Sequence, residues 1–214
     1  MFRSAPPNMN NNLLKARLRL WFLFAAAIVL LVPFVFENRI LISDPNSSIP
    51  TYLKNFQRGS AGLGIAGDYK NSISFSGLEP GDIILGGYPD CSYGEYSHAA
   101  LYIGSNEVIE GNADSGIAIQ SIFHFSSYSQ VALLRIEAPA ELKTHAVEYA
   151  LAHRGKAFYP LAFKNGERIW NCSKIMWKAY MEQGIDLDPL HDIWVKPESF
   201  KTSPYARLID EKKV

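Results

Sequence analysis

Cysteine is scarce in this sequence, which has 214 residues and only two cysteines, Cys91 and Cys172. Zinc modules built on cysteine need closely spaced pairs, and the chain has none, so such modules are excluded. In an oxidising compartment, two cysteines would ordinarily form a disulfide. A single structural bridge therefore competes with a free, reactive thiol as the interpretation of this pair.

An excess of charge of either sign is also absent. The chain has 21 basic and 21 acidic residues, and its net charge is zero without any long basic run. A protein that binds nucleic acid needs a basic surface to contact phosphates, so we expect no nucleic-acid partner. Internal repeats and low-complexity tracts are lacking too, whereas 48% of the residues are hydrophobic. This composition favours one globular domain with additional segments.

A long apolar run occurs once, from Leu20 to Phe36, and it contains no charged residue. As a helix its 17 residues span about 25 Å, slightly less than a hydrocarbon core of about 30 Å. A helix in a soluble core would have a polar face, which this run lacks. A signal peptide would end at small residues of the A-x-A type, which are missing here. We therefore expect a retained transmembrane anchor, with a cleaved signal peptide as the alternative.

Basic residues on the two sides of this run predict its orientation. Only Arg39 follows the run closely, so the positive-inside rule places the N-terminus in the cytoplasm and the remainder outside. We divide the chain into a cytoplasmic segment (1–19), the anchor (20–36), a linker and irregular lead-in (37–77) and a folded domain (78–214). Four basic residues precede the run: Arg3, Lys15, Arg17 and Arg19.

The folded domain has the element order of an α+β protein. Five short runs with turn residues between them predict strands, and the second and third look like a hairpin closed at Ser105-Asn106. A helix is predicted from Pro139 to Arg154 and another from Cys172 to Gly184. Strands followed by helices favour an antiparallel sheet packed on helices. The predicted strands are 83–85, 97–104, 107–111, 116–120 and 131–136, with a further strand near 206–209.

The second predicted helix carries one of the cysteines in its first turn. Asn171 is a good N-cap, and apolar residues at Ile175, Met176 and Ala179 follow with helical period. At that position unpaired backbone N–H groups and the helix dipole lower the pKa of Cys172. Since the thiolate is the nucleophilic form, the position suits covalent catalysis. The competing interpretation is a small buried core residue, because free cysteine is often buried.

A histidine and a glutamate in the predicted hairpin complete a catalytic set. His98 opens the strand 97–104, and Glu110 lies on the next strand, so the two can be cross-strand or diagonal neighbours on one face. Histidine is the usual base for a thiol, and a carboxylate can fix its tautomer and favour its cation. A cysteine, a base and an orienting carboxylate are the roles of a catalytic triad.

The remaining candidate ligands give a weaker pattern. Four further histidines have no partner spacing, so we treat them as surface or core residues. A zinc site from Cys91, His98, Glu110 and Cys172 is chemically conceivable, but no two of them have a compact ligand spacing. We therefore expect no metal and no cofactor. The four histidines are His124, His145, His153 and His191.

These motifs together resemble a family. Leu-Glu-Pro-Gly-Asp at 78–82, Ser-His-Ala-Ala-Leu-Tyr-Ile-Gly at 97–104, Val-Ile-Glu-Gly at 108–111 and Asn-Cys-Ser-Lys at 171–174 are similar to circularly permuted NlpC-like cysteine hydrolases of the YiiX and YycO-like branch. The resemblance extends to Trp-Val-Lys-Pro-Glu-Ser at 194–199. It implies a permuted papain-like fold, with Cys172 as nucleophile, His98 as base and Glu110 as third polar residue.

Two residues depart from the pattern of that family. Asn171 stands where we expect an aromatic residue, and Lys174 stands where we expect an acid. Both changes lie beside the nucleophile, so we expect them to alter the substrate groove and to leave the triad intact.

The resemblance leaves the substrate open, because relatives cut either amide bonds in wall peptides or acyl bonds in lipids. Both reactions proceed by thiolate attack on a carbonyl and through an acyl-enzyme. We expect an amide-cleaving hydrolase of peptidoglycan-type peptides. The alternatives are a lipid acyl hydrolase or acyltransferase and, in a different class, an inactive papain-like binding domain.

Overall fold

The computed structural model describes residues 9–60, 62–188, 190 and 192–214. The chain forms two compact units, and the boundary between them in the sequence falls between Ser43 and Asp44. The first unit contains helices α1 (Met9–Glu37) and α2 (Arg39–Ser43). The apolar part of α1, Leu13–Phe36, has 24 residues, and none of its most hydrophobic stretch is buried. It spans about 36 Å. The predicted 20–36 run is therefore part of a longer helix, whose length and composition fit a membrane span or a signal sequence.

The second unit is built around one sheet of six strands. All neighbouring strands are antiparallel, in the order β4-β3-β2-β1-β5-β6. The inner strand β1 is buried along its whole length and pairs with β2 on one side and β5 on the other. The strands are β1 (Ile83–Gly87), β2 (His98–Gly104), β3 (Glu107–Asn112), β4 (Gly116–Ser121), β5 (Gln130–Ile136) and β6 (Ala206–Lys213).

Three α-helices accompany this sheet. Helix α3 (Ser48–Gln57) precedes the strands, α4 (Ala140–Ala152) follows β5, and α5 (Cys172–Met181) follows a loop. Helices α4 and α5 pack on each other, and α5 also packs on β2 and β3. The α+β class and the antiparallel sheet are confirmed. The end of α5 was predicted too late, since Glu182 is its C-cap, and β6 is longer than predicted.

The lead-in before the sheet is attached to the second unit. The backbone N–H of Ser48 donates to Asp192 Oδ2 over 2.6 Å, and Lys196 Nζ donates to the carbonyl of Asn46. Further along, the side-chain amide of Asn71 donates to the carbonyl of Lys212 at 3.0 Å. Residues from Asp44 onward therefore belong to the same compact unit as the sheet.

A buried carboxylate joins the start of β1 to the neighbouring elements. Asp82 is fully buried, and it accepts from Arg135 Nε at 2.9 Å and from Lys143 Nζ at 2.8 Å. Its Oδ2 also accepts from the backbone N–H of Glu79 at 2.8 Å. Because Arg135 lies on β5 and Lys143 on α4, this one carboxylate fixes the turn at 78–82 against both elements.

Candidate active site

The hairpin of β2 and β3 brings His98 and Glu110 onto one face of the sheet. Glu110 lies directly opposite Ala100, so His98 is its diagonal neighbour, two residues along β2. The His98 Nε2 atom lies 2.9 Å from Glu110 Oε2. Of the two cross-strand relationships allowed by the sequence, the structure has the diagonal one.

Helix α5 places Cys172 beside this pair. The Asn171 side chain accepts from the backbone N–H of Lys174 at 2.7 Å, which is the predicted N-cap, and Cys172 is the first helical residue. Gly111 allows the close approach of the helix start to β3. A Cβ on Gly111 would lie 3.1 Å from the carbonyl carbon of Asn171 and 3.2 Å from Cys172 N. Any other residue there would press on the backbone that carries the thiol.

The ring of His98 connects the other two side chains. Its Nε2 faces Glu110, which leaves Nδ1 as the ring nitrogen for Cys172. Burial disfavours the cation of His98, but its hydrogen bonds to Cys172 and Glu110 outweigh this and raise its pKa to about 10. Burial would likewise raise the pKa of the Cys172 thiol, but the adjacent His98 lowers it overall. The arrangement therefore favours a thiolate–imidazolium pair.

The electrostatics of Glu110 complete the arrangement. Its side chain is only 4% exposed, and burial alone would raise its pKa. The neighbouring His124 and His98 outweigh that effect and hold the pKa at about 2. Glu110 is therefore an anion at neutral pH and can stabilise positive charge on His98.

His124 contacts the candidate site in a way that the sequence did not reveal. We treated it as a surface or core residue without a partner, whereas its Nε2 lies 3.2 Å from Glu110 Oε2. It is carried by a short 3₁₀ helix, Ile122–Ser127, which follows β4 and returns over the sheet. The sequence around His124 has no periodicity that predicts this contact. The one sequence signal was the position of His124 after β4, the strand that pairs with β3.

Aromatic rings surround the imidazole of His98. The Tyr128 ring is parallel to it at a centroid distance of 6.0 Å, and the Phe125 ring lies at 5.8 Å. The His98 side chain is 13% exposed. These rings limit its rotation and keep water from most of its surface, which strengthens its interactions with Glu110 and Cys172.

The two cysteines are free thiols in different environments. Cys172 is partly exposed, whereas Cys91 is buried. Burial raises the pKa of the Cys91 thiol to about 11, despite hydrogen bonds from the backbone of Tyr93 and Gly94. Cys91 is therefore a neutral, unreactive thiol in the loop before β2. Of the four residues of the conceivable zinc site, only His98 and Glu110 fall in a group of possible metal ligands within the described ranges, and the third member of that group is His124 rather than a cysteine.

The two departures from the family pattern act on the loop before α5. The amide of Asn171 donates to the carbonyls of Pro160 and Ala162 at 3.1 and 3.3 Å. Lys174 is buried, and its ammonium donates to the carbonyls of Gly166 and Ile169 at 2.7 and 3.1 Å. Both residues thus fix the shape of the loop that flanks Cys172.

This loop has an apolar outer surface. Tyr159, Leu161 and Phe163 are exposed on either side of the carbonyls bound by Asn171, and the nearby Ile193 is exposed as well. The backbone N–H of Lys164 donates to the carbonyl of Ile193 at 2.9 Å, which joins the two segments. We call Tyr159, Leu161, Phe163 and Ile193 the apolar rim.

The remaining histidines lie away from the site or outside the description. His145 is exposed on α4, and His153 is buried against Tyr149 and Trp170, as expected for surface and core residues. His191 lies outside the described residues.

Comparison with known families decides the class of the protein. Residues 77–202 match the family model described as permuted papain-like amidase enzyme, YaeF/YiiX, C92 family. The chain belongs to this amidase family. The match includes His98, Glu110, His124 and Cys172, and it confirms the family resemblance that the sequence motifs indicated.

A solved structure shares the fold of this amidase. It is the crystal structure of metalloprotein yiiX from Escherichia coli O157:H7, with a TM-score of 0.53 and 17% sequence identity. The alignment covers 64% of this chain and 98% of the other. The similarity supports the permuted papain-like fold. No curated protein matches the chain.

Proposed function

We propose that this amidase is a cysteine hydrolase in which Cys172 is the nucleophile, His98 the base and Glu110 the residue that orients His98. The observation that carries the proposal is the position of one ring, His98, between a carboxylate at 2.9 Å and a thiol whose pKa it lowers. Chemistry of this kind needs a thiolate at neutral pH and a nearby acid for the leaving group.

The proposed reaction follows from the two protonation states of this pair. The Cys172 thiolate attacks the carbonyl carbon, and the π-electron pair moves to the oxygen. When the tetrahedral intermediate collapses, the C–N bond breaks and the amine leaves with the proton from His98 Nδ1. Neutral His98 then takes a proton from water, the hydroxide adds to the thioester, and the carboxylic acid leaves as the thiolate reforms.

The oxyanion of each intermediate requires hydrogen-bond donors. The N–H of Cys172 is one candidate, because it lies at the start of α5, where the backbone donors and the helix dipole favour negative charge. Gly111 supports this role, since its missing side chain leaves the backbone at Cys172 close to β3.

We assign the substrate to peptidoglycan-type peptides. An amide bond is the linkage named in the family description, and an exported domain would meet wall peptides directly. One observation favours the second candidate, a lipid acyl hydrolase or acyltransferase. The apolar rim lies on the loop that flanks Cys172 and offers an uncharged surface suited to an acyl chain.

We further propose that α1 is a retained membrane anchor and that the amidase domain lies outside the cytoplasm. Support comes from the 24-residue span Leu13–Phe36, whose run from Leu20 onward is uncharged, and from the basic residues Lys15, Arg17 and Arg19 in its N-terminal part. Because these basic residues lie next to the uncharged run, their long side chains can reach the interface between membrane and water.

The test of the proposed function uses the full chain in detergent with two substrate sets, wall-derived peptides and phospholipids. We expect release of amine from the peptides, and this release should vanish in Cys172→Ser. Fatty-acid release without amine release would select the lipid reaction. Failure to hydrolyse either set, together with no labelling of Cys172 by an acyl probe, would indicate a binding domain.

A further inference from the structure

A backbone contact fixes the tautomer of His124, and among the described residues no hydrogen-bond donor faces its other ring nitrogen, Nε2. Its Nδ1 lies 2.6 Å from the carbonyl oxygen of Ser121. A carbonyl oxygen can only accept, so Nδ1 carries the proton in this contact. In neutral His124, Nε2 therefore presents a lone pair. That atom is buried and has no hydrogen-bond partner in the part of the chain that the structure describes.

The lone pair of His124 faces the carboxylate of Glu110. The two atoms lie 3.2 Å apart, and both are electron donors when His124 is neutral and Glu110 is ionised. A proton on Nε2, or a cation held by both atoms, turns this repulsive contact into an attractive one. The second possibility has further support from the third group of the cluster.

His98 contributes another donor atom at the same place. The nitrogen or oxygen donors of His98, Glu110 and His124 all lie within 4.8 Å of one another. Two imidazoles and one carboxylate are a ligand set that suits Zn²⁺ and related divalent metals, which bind such atoms at about 2.0–2.2 Å. The carbonyl of Ser121 orients His124 as a backbone carbonyl commonly orients a metal-bound histidine.

We propose that His98, Glu110 and His124 form a site for a divalent transition metal, and that metal binding there inhibits the amidase. The proposed metal binding rests on this cluster alone, whereas the proposed inhibition rests on the proposed function. The His124 side chain is 34% exposed, so this ligand cluster lies close to solvent. Cys172 lies on the other side of the His98 ring and is not a ligand in this proposal.

Inhibition follows from the chemistry of the His98 ring. In the proposed reaction, Nε2 keeps a proton that it shares with Glu110, while Nδ1 exchanges a proton with Cys172 and the leaving group. A metal on Nε2 takes the place of the first proton and occupies Glu110 as well. The ring then has no carboxylate to orient it, and Nδ1 retains its proton, because releasing that proton from a metal-bound imidazole would leave an imidazolate; the exchange of protons with Cys172 and the leaving amine is therefore blocked.

The test measures binding directly, on full-length protein in detergent after treatment with a chelator and buffer exchange. Zn²⁺ is titrated by calorimetry, and Co²⁺ is titrated by visible absorption, which reports its ligand geometry without any substrate. We expect one metal per chain. His124→Gln should weaken binding by at least about 100-fold, since losing a ligand costs no less than losing its orienting partner.

Three further variants define the site. Glu110→Gln should also weaken binding, and it keeps the proposal testable if His124→Gln does not fold. His145→Gln, which changes an exposed histidine on α4, and Cys172→Ser should both retain metal binding. Absence of stoichiometric binding to the wild-type chain would overturn the metal site. Binding that is lost in Cys172→Ser but kept in His124→Gln would overturn it too, since the metal would then sit on the thiol.

Activity separates the two halves of the proposal. Inhibition by Zn²⁺ that weakens in parallel with binding in His124→Gln supports both halves. If the chain binds one metal but the metal-free chain hydrolyses nothing, the result supports the metal site and contradicts the proposed function. Full hydrolysis by the metal-loaded chain overturns the inhibitory role.

Discussion

His98 and Glu110 are diagonal neighbours across the β2–β3 hairpin, with His98 Nε2 at 2.9 Å from Glu110 Oε2. A hairpin is a local structure, so this contact forms between residues that are close in the chain. The thiol lies on a different element, the helix α5 that begins at Cys172. The site therefore combines a rigid base and carboxylate with a nucleophile that tertiary packing must position.

The first prediction concerns the two hairpin residues. His98→Ala should abolish nearly all amide hydrolysis, because Cys172 then has no proton acceptor. Glu110→Gln should reduce kcat/KM by about 10²–10⁴-fold, since it orients the ring and takes no proton itself. Steady-state kinetics on a peptide amide measure both. Full activity of Glu110→Gln combined with inactive Asn112→Ala would show that the third residue is misassigned.

The second prediction concerns thiol reactivity against pH. The pKa of Cys172 is lowered, so its thiolate should react with iodoacetamide below the pH at which an ordinary cysteine reacts. The pKa of His98 is raised to about 10, so its acid form is lost only as the pH rises through that value. Hydrolysis should therefore be constant between these limits and decline on both sides.

Cys91 provides the internal control for this labelling. Its pKa of about 11 and its burial predict no modification in the native protein at neutral pH. Peptide mass spectrometry of alkylated, non-reduced protein distinguishes the two cysteines, and Cys91→Ser should remain active. A bonded Cys91–Cys172 pair that resists mild reductant, with unfolding of Cys91→Ser, would establish a structural disulfide and exclude a cysteine hydrolase.

The third prediction concerns the glycine beside the carboxylate. Gly111→Ala should lower kcat, because the new Cβ meets backbone atoms of Asn171 and Cys172 that have little freedom to move. Overpacking of this kind also costs about 1–3 kcal/mol of stability. Ala113→Ser, at an exposed position in the following turn, is the matched control. Unchanged kcat and melting temperature in Gly111→Ala would contradict the close approach of α5 to β3.

The fourth prediction concerns the buried carboxylate at the start of β1. Asp82→Ala should destabilise the domain by about 3–5 kcal/mol, because it leaves Arg135 and the buried Lys143 without their shared anion. Urea unfolding followed by circular dichroism measures the loss. Asp114→Ala, at an exposed position, should change stability by no more than about 0.5 kcal/mol. Equal effects of the two changes would remove the structural role assigned to Asp82.

The fifth prediction concerns topology. The protein extracted from membranes should keep Leu20–Phe36, and a protease added outside intact cells should reach the amidase domain. N-terminal sequencing and protease protection measure these two properties. A mature chain that begins after Phe36 would replace the anchor with a signal peptide. A domain protected in intact cells would reverse the orientation.

The sequence alone predicted the features that depend on local period and local chemistry. The helix that starts at Cys172 followed from an N-cap and an apolar stripe, and the long apolar helix followed from composition. The strands around His98 and Glu110 followed from apolar runs and a tight turn, and the order of the motifs indicated the family. These signals lie within a few residues of one another, so no knowledge of distant contacts was required.

The tertiary structure decided which distant residues meet. His124 reaches Glu110 through a 3₁₀ helix after β4, and Asp82 joins β5 and α4, while no sequence period marks either contact. Gly111 is required only because α5 comes back against β3 about sixty residues later. Local sequence fixes the direction of each element, but contacts between distant elements depend on how all of them share one core. That is why the residues of the hairpin were predictable, whereas the contact of His124 with Glu110 and the need for glycine at position 111 were not.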